Sequence, residues 1–418
     1  MTHRDMLMPQ EAGCRERRVP EEWEVKELDE LCKKIAVGLA ISVTPYMRSE
    51  GVKLIRNQNI KRNYFNDRSV VYIDPKFADA NKSKKVKLGD IVAVRTGSNI
   101  GEACVVPEEF DGALTFTTLI ARPDPKLLDS FFLSTHINSD RGISEVNRLC
   151  AGGGKPNLNS GELKRYRLLA PPLPEQQKIA QILSTWDKAI TTTEQRIANS
   201  QQQKKALMQQ LLTGKQRLLD QNGERFSGEW RRLPFSDLVS LVKTKFDPKT
   251  NADDVRECIE LEHITQVSSS LCGSTNTSDA VSTKTAFENG DVLFGKLRPY
   301  LRKYWKADRQ GVCSTEIWVF RTRAKVAADY IFQVVQLDSF IEVANKSSGT
   351  HMPRADWNVV KDFLIPTPSL EEQQKIAAVL SAADQEITTL QQQLDHLKQE
   401  KKALMQQLLT GKRRVQIN

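Results

Sequence analysis

Apolar residues recur along residues 173–214 in alternating steps of four and three, at Ile179, Leu183, Trp186, Ile190, Ile197, Leu207 and Leu211, and the same register passes through Thr193, Ser200 and Lys204. A second stretch, 370–411, repeats the spacing at Ile376, Leu380, Ala383, Ile387, Leu390, Leu394, Leu397, Lys401, Leu404 and Leu408. A period of about 3.5 residues held this long predicts a helix whose apolar positions form a coiled-coil seam. Pro174 stands just ahead of the first helix, where proline is tolerated, and Gly214 and Gly411 stand where helices stop. Each helix should run about 38 residues, roughly 57 Å at the standard rise. The expected arrangement pairs the two helices antiparallel within one chain, with a homo-oligomeric coiled coil as the structural alternative.

Elsewhere the pattern shortens to strand-like runs separated by turn residues. In the first half these are 52–56, 90–95, 102–106, 114–122 and 165–170, with a helix at 127–137. In the second half they are 291–296, 316–323 and 362–366, with a helix at 328–344. The fold class is therefore α+β: two mixed units of roughly 150 residues each, joined by the long helices.

The halves are copies of unequal fidelity. KKALMQQLLTGK occurs at Lys204–Lys215 and again, unchanged, at Lys401–Lys412, an offset of 197 residues. EQQKIA at Glu175–Ala180 returns at Glu372–Ala377 with the same offset, while GDIVAVRTGSNIG (89–101) meets the diverged GDVLFGKLRPYLR (290–302). Both parts have had equal time to drift. Constant segments that face identical partners, and variable units that face different targets, explain the unevenness.

The variable slots carry the candidate chemistry. RTGSNIG offers Arg95, Thr96, Ser98 and Asn99; its counterpart KLRPYLRKYW offers Lys296, Arg298, Tyr300, Arg302 and Lys303, with Tyr304 and Trp305 interleaved. Arginine suits guanine edges, asparagine suits adenine, and basic residues among aromatics suit phosphates and grooves. Two further slots pair IRNQNI (55–60) with IELEHI (259–264) and GGGKPNLN (152–159) with GTHMPRAD (349–356). They add Arg56, Asn57, Gln58, Asn59, Lys155, His351 and Arg354.

Charge sharpens this picture. The 418 residues carry a formal net charge of +9, which favours a polyanionic partner. No apolar run approaches the roughly 20 residues of a membrane span, and the N-terminus has no signal-peptide core, so a membrane partner is not expected. Seven scattered cysteines without a CxxC pair suit reduced thiols in the cytoplasm, and no histidine pattern points to a metal. GGGK lacks the earlier glycine and the following Ser or Thr of a phosphate loop, and no dinucleotide fingerprint is present. No catalytic residue is assigned. The expectation is a reader of nucleic acid that lends its specificity to other proteins, the alternatives being a coiled-coil scaffold or adaptor without DNA reading and a stand-alone nuclease.

Together, PPLPEQQKIAQIL and PSLEEQQKIAAVL leading into KKALMQQLLTGK, with GDIVAVRTGSNIG and GDVLFGKLRPYLRKYW, resemble the specificity subunit of type I restriction–modification systems over residues 19 to 415. The resemblance implies a pseudo-two-fold internal repeat: a disordered N-terminal arm at 1–18, target-recognition domains at 19–172 and 227–369, spacer helices at 173–214 and 370–411, a linker at 215–226 and a tail at 412–418. It implies a bipartite, asymmetric duplex target, two methyltransferase subunits docked on the copied helices, and restriction subunits reached through that complex. No cofactor is expected in this chain; S-adenosylmethionine, ATP and Mg2+ would sit on the partners. Recognition domains of this family vary by design, so the base contacts rest on the slots alone.

Overall fold

A computed structural model of the chain describes residues 20–150, 157–251, 253–267, 270–280, 282–346 and 353–417. The expected arm at 1–18 and the candidates Lys155 and His351 lie outside the described residues. The chain forms two compact units. The first gathers residues up to Thr192 with those from Asp395 onward, and the second comprises Thr193–Leu394.

In the first unit, a four-stranded antiparallel sheet runs in the order Cys32–Val37, Thr118–Pro123, Ile91–Val94, Ala103–Val105. Ile91–Val94 is buried at every position, the pattern of a strand covered on both faces. A smaller sheet, ordered Leu114–Thr115, Val52–Ile55, Val71–Ile73, Met47–Arg48, includes one parallel pairing. Helices Ser130–Ile137 and Asp140–Cys150 follow, and strand Glu24–Glu27 pairs with Arg167–Ala170 just before the long helix begins.

The second unit repeats the four-strand order with Val239–Leu241, Ile317–Thr322, Val292–Gly295 and Tyr304–Lys306. Strand Arg231–Pro234 pairs with Leu364–Thr367 as Glu24–Glu27 does with Arg167–Ala170. One ion pair recurs at the same place in each sheet: Arg122 donates both bonds to Asp90 at 2.7 Å, and Arg321 donates to Asp291 at 2.9 and 2.8 Å.

Two runs divide where one element was expected. The strand read at 114–122 splits into Leu114–Thr115 and Thr118–Pro123, which join different sheets, because Thr117 turns the backbone left-handed at φ 53°. The helix read at 328–344 breaks into Ala328–Val334 and Asp338–Ala344, since Leu337 is extended and caps the second piece. The first unit also holds the helix Asp140–Cys150, which apolar patterning had not marked.

The long helices are Leu173–Leu211 and Leu370–Leu408, 39 residues each. Ile179, Leu183, Ile197, Leu211, Ile376, Leu380, Leu390, Leu394 and Leu408 are buried; Trp186, Ile190, Leu207, Ile387, Leu397 and Leu404 are half-buried. The polar register positions Thr193, Ser200 and Lys204 are buried as well. In the first unit, Ile179 and Leu183 share a core with Leu408, Leu409, Trp23 and Tyr166, and Lys401 Nζ bonds Asp187. In the second unit, Leu211, Leu212 and Met208 share a core with Ile376, Leu380 and Phe235, and Lys204 Nζ bonds Asp384 and Gln336. No described helix is long and apolar enough to cross a membrane.

The head of each long helix carries a buried carboxylate. Glu175 accepts two bonds from Arg414 at 2.7 and 2.9 Å and one from the Trp23 indole at 3.0 Å. Glu372 accepts equivalent bonds from Arg217 and from the Trp230 indole at 3.1 Å. Beside them, the side-chain amides of Gln176 and Gln373 donate to Pro171 and Pro368 and accept from the backbone N–H groups of Asp129 and Ala327. EQ in EQQKIA is therefore the joint between helix and globular unit.

Candidate nucleic-acid interface

In each unit the chain brings the variable slots together. In the first, Leu158 N–H donates to the Arg95 carbonyl at 3.0 Å, Thr96 bridges Asn157, and Arg95 Nε donates to Asn157 Oδ1 at 3.1 Å. In the second, Arg298 N–H donates to the Pro353 carbonyl at 2.8 Å, Ala355 N–H donates to the Lys296 carbonyl at 2.8 Å, and Leu297 bridges Arg354. The pairing is the same; the residues are not. Arg354 is exposed and donates to Glu316 at 3.0 Å.

The remaining slot closes onto these loops. Asn57–Asn59 forms one 3-10 turn and Leu261–His263 the other. Lys303 Nζ donates to the Leu261 carbonyl at 2.6 Å, and Val267 N–H donates to the Arg302 carbonyl at 3.1 Å. In the first unit the hairpin after the turn attaches through Asn63 N–H to the Ala103 carbonyl at 3.0 Å and through Arg62 to Glu102.

The candidates divide by exposure. Thr96, Ser98, Asn99, Gln58, Arg298 and Tyr300 are exposed, while Arg95, Arg56, Asn57 and Lys296 are half-buried. Ser98 Oγ donates to Asn99 Oδ1 at 3.3 Å, and Arg56 Nη2 donates to the Ser69 carbonyl at 3.1 Å. Asn59 departs from the outward-facing role expected of it. It is buried, its Oδ1 accepts from Arg56 N–H at 2.9 Å and its amide donates to the Asn66 carbonyl at 2.8 Å, so it holds the turn. Arg302 and Lys303 are half-buried and committed to partners, Arg302 to Asp338 and the Gln336 carbonyl. Hydrogen bonds from Lys205 and Arg302 hold the Asp338 carboxyl below the usual range. Tyr304 and Trp305 belong to the cores, and burial pushes the Tyr304 phenol up to about 12.

Backbone conformation singles out one residue. RTGSNIG and KLRPYLR align position by position, and positive φ falls at matching places: Gly97 and Gly101 have φ of 100° and 82°, and their counterparts Arg298 and Arg302 have 53° and 52°. Glycine adopts this region freely and arginine does not. Arg302 has Asp338 to hold it. The Arg298 guanidinium makes no hydrogen bond or ion pair among the described residues. An exposed cation kept in a strained turn without an internal partner is free to meet an external one.

Sequence patterning missed the cations and the aromatic on the hairpin Ile60–Lys61/Tyr64–Phe65. Arg62 and an exposed Tyr64 flank its tip, beside the RTGSNIG loop. The four paired residues of that hairpin are too few for a periodicity to show. Among the described residues, no group of three or more His, Cys, Asp or Glu is placed to hold a metal. Clustered loops with polar, amide and cationic tips can read base edges and anchor phosphates.

Residues 20–200 and 274–399 match the family described as the type I restriction modification DNA specificity domain. The chain is 23% identical over 426 residues to the type I restriction enzyme MjaVIII specificity subunit of Methanocaldococcus jannaschii, covering 95% of this chain and 94% of that one. It is 25% identical over 294 residues to the EcoDI specificity subunit of Escherichia coli, covering 60% and 62%. Among solved structures, the type I restriction–modification S subunit from M. genitalium aligns with a TM-score of 0.61 at 14% identity, over 94% of this chain and 97% of that one. A chain from work on complex assembly and conformational transition of the type I R-M system aligns at 0.55 and 16%, over 95% and 100%. At such identities the structural likeness speaks for the fold.

Proposed function

The chain belongs to the type I restriction–modification DNA specificity family, and from that premise we propose that it reads a bipartite, asymmetric duplex DNA target for a methyltransferase and restriction complex. The observation that carries this reading is the pair of loop clusters: one scaffold, repeated, presents different side chains in matching slots. Each cluster reads one half-site. The chain itself is non-catalytic; methyl transfer, with S-adenosylmethionine, and any ATP-driven step belong to its partner subunits in the cytoplasm.

The two long helices act as an antiparallel coiled-coil spacer between the recognition domains, 19–172 and 227–369, of a pseudo-two-fold internal repeat. The pairs Asp187–Lys401 and Lys204–Asp384 support that pairing, because each joins the two helices at positions related by the repeat. Within the copied segment, Leu211, Leu212, Leu408 and Leu409 are buried, so packing explains their identity. Gln209, Gln210, Thr213 and Lys215, like Gln406, Gln407 and Lys412, are identical and exposed. Packing gives no reason to preserve them; two copies of one methyltransferase subunit docking on them does.

Titrating the assembled complex with a target duplex, then with duplexes altered in one half-site, tests the reading. Binding should weaken with either alteration and fall steeply with salt. A scaffold without DNA reading would show no such binding, and magnesium-dependent cleavage by this chain alone would indicate a nuclease.

A further inference from the structure

The two 3-10 turns are the same device built from different residues. In the first unit, Asn59 Oδ1 accepts from the Arg56 N–H at 2.9 Å; in the second, His263 Nδ1 accepts from the Glu260 N–H at 3.0 Å. The third residue of each turn thus locks it, and burial or half-burial removes that residue from the surface. Both locks leave the middle residue outside: Gln58 in the first unit and Glu262 in the second, the latter with its side chain 83% exposed.

Glu262 is out of place for a surface that meets a phosphate backbone. Its turn sits on the basic loop. Lys303 Nζ bonds the Leu261 carbonyl at 2.6 Å, and a Cβ on Gly295 would come within 2.9 Å of Leu261 Cδ2. A carboxylate on a turn held by Lys303 would repel phosphates, and among the described residues Glu262 is not tied to that cation; its side chain lies 3.9 Å from His263 Nε2. Glu260, in contrast, is engaged. Burial alone would raise its carboxyl, but the Lys284 ammonium at 2.6 Å holds it below the usual range.

We propose that the middle residue of each turn reads one base pair, Glu262 by accepting a hydrogen bond from the N4 amino group of a cytosine and Gln58 by pairing with the N6 and N7 edge of an adenine. The groove edge of cytosine offers a donor and no acceptor there, so a carboxylate fits it, while an amide matches adenine's donor and acceptor together. The locks on either turn fix where that side chain enters. The proposal rests on the DNA-reading function above and assigns one position in each half-site.

The test maps methylated sites for the complex carrying the wild-type chain, Glu262→Gln or Gln58→Glu. Glu262→Gln should lower discrimination for cytosine at one position by about 5- to 150-fold and favour adenine there, leaving the other half-site as it was. Gln58→Glu should make the reciprocal change in the other half-site. An intact second half-site in the same complex shows that the variant folds. An unchanged motif in both variants, or uniformly tighter binding to all DNA after removal of the Glu262 charge, overturns the assignment. Absence of any bipartite motif with the wild-type chain would instead overturn the DNA-reading function itself.

Discussion

A left-handed backbone costs a non-glycine residue about 1–2 kcal/mol, yet Arg298 holds that conformation where the first unit has glycine. Replacing it with glycine should therefore cost no folding stability while weakening recognition of one half-site by about 1–3 kcal/mol, if the guanidinium makes a bidentate base contact. Thermal unfolding together with binding to matched and altered half-sites checks this; equal weakening on unrelated DNA would mark a phosphate contact. His136 offers a test of the core. It is fully buried, bonds Tyr166 at 2.8 Å through Nδ1, and burial pushes its pKa down to about 3. The unfolded chain takes up that proton near 6.5 and the folded chain does not, so this contribution to stability is complete above 6.5 and is lost as pH falls toward 3. By pH 5 the loss is about 2 kcal/mol. Denaturation at pH 8 and pH 5 should show it in the wild type and not in His136→Gln. At this scale the sequence was read unevenly. Residue type and slot made Arg298 and Gln58 candidates, and both are exposed, but nothing in IRNQNI distinguishes the outward Gln58 from the buried Asn59. That difference arises only when the turn closes and Asn59 takes the Arg56 N–H.

Among the elements, the long helices were the most legible, because a period kept over ten turns leaves little else for the chain to form. Their observed lengths of 39 residues sit beside the expected 38 or so. Short elements were less legible: 114–122 and 328–344 read as continuous because a positive φ at Thr117 or an extended Leu337 leaves no mark in hydropathy. The helix-head joints were also missed, although Arg217 and Arg414 keep the 197-residue offset of Glu175 and Glu372. They yield a firm prediction. Arg217→Ala leaves the Glu372 carboxylate buried with only Trp230 as partner and should destabilise the second unit by about 3 kcal/mol. Hydrogen exchange that slows or stays unchanged there would contradict it. A seven-residue insertion in both long helices lengthens them by about 10 Å and, if they are the spacer, should widen the half-site gap by about three base pairs. A gap that stays fixed would mean something else sets it.

For the whole molecule, the positive balance of charge, the repeat and its uneven fidelity pointed to a DNA reader before any coordinates, and the family match agrees with that reading. What the sequence left out is how slots some 40 to 60 residues apart come together: the bridges Thr96–Asn157 and Leu297–Arg354 are tertiary facts with no local signature. Together they turn scattered polar loops into two surfaces of the same plan and different chemistry. The measurement that tests this account most directly is to co-express the chain with its methyltransferase subunit and map methylated adenines across the host DNA. The account predicts one asymmetric, two-part motif with a fixed gap, absent when this chain is omitted. Adenine methylation that does not depend on the chain, or none at all from a soluble, assembled complex, would contradict it.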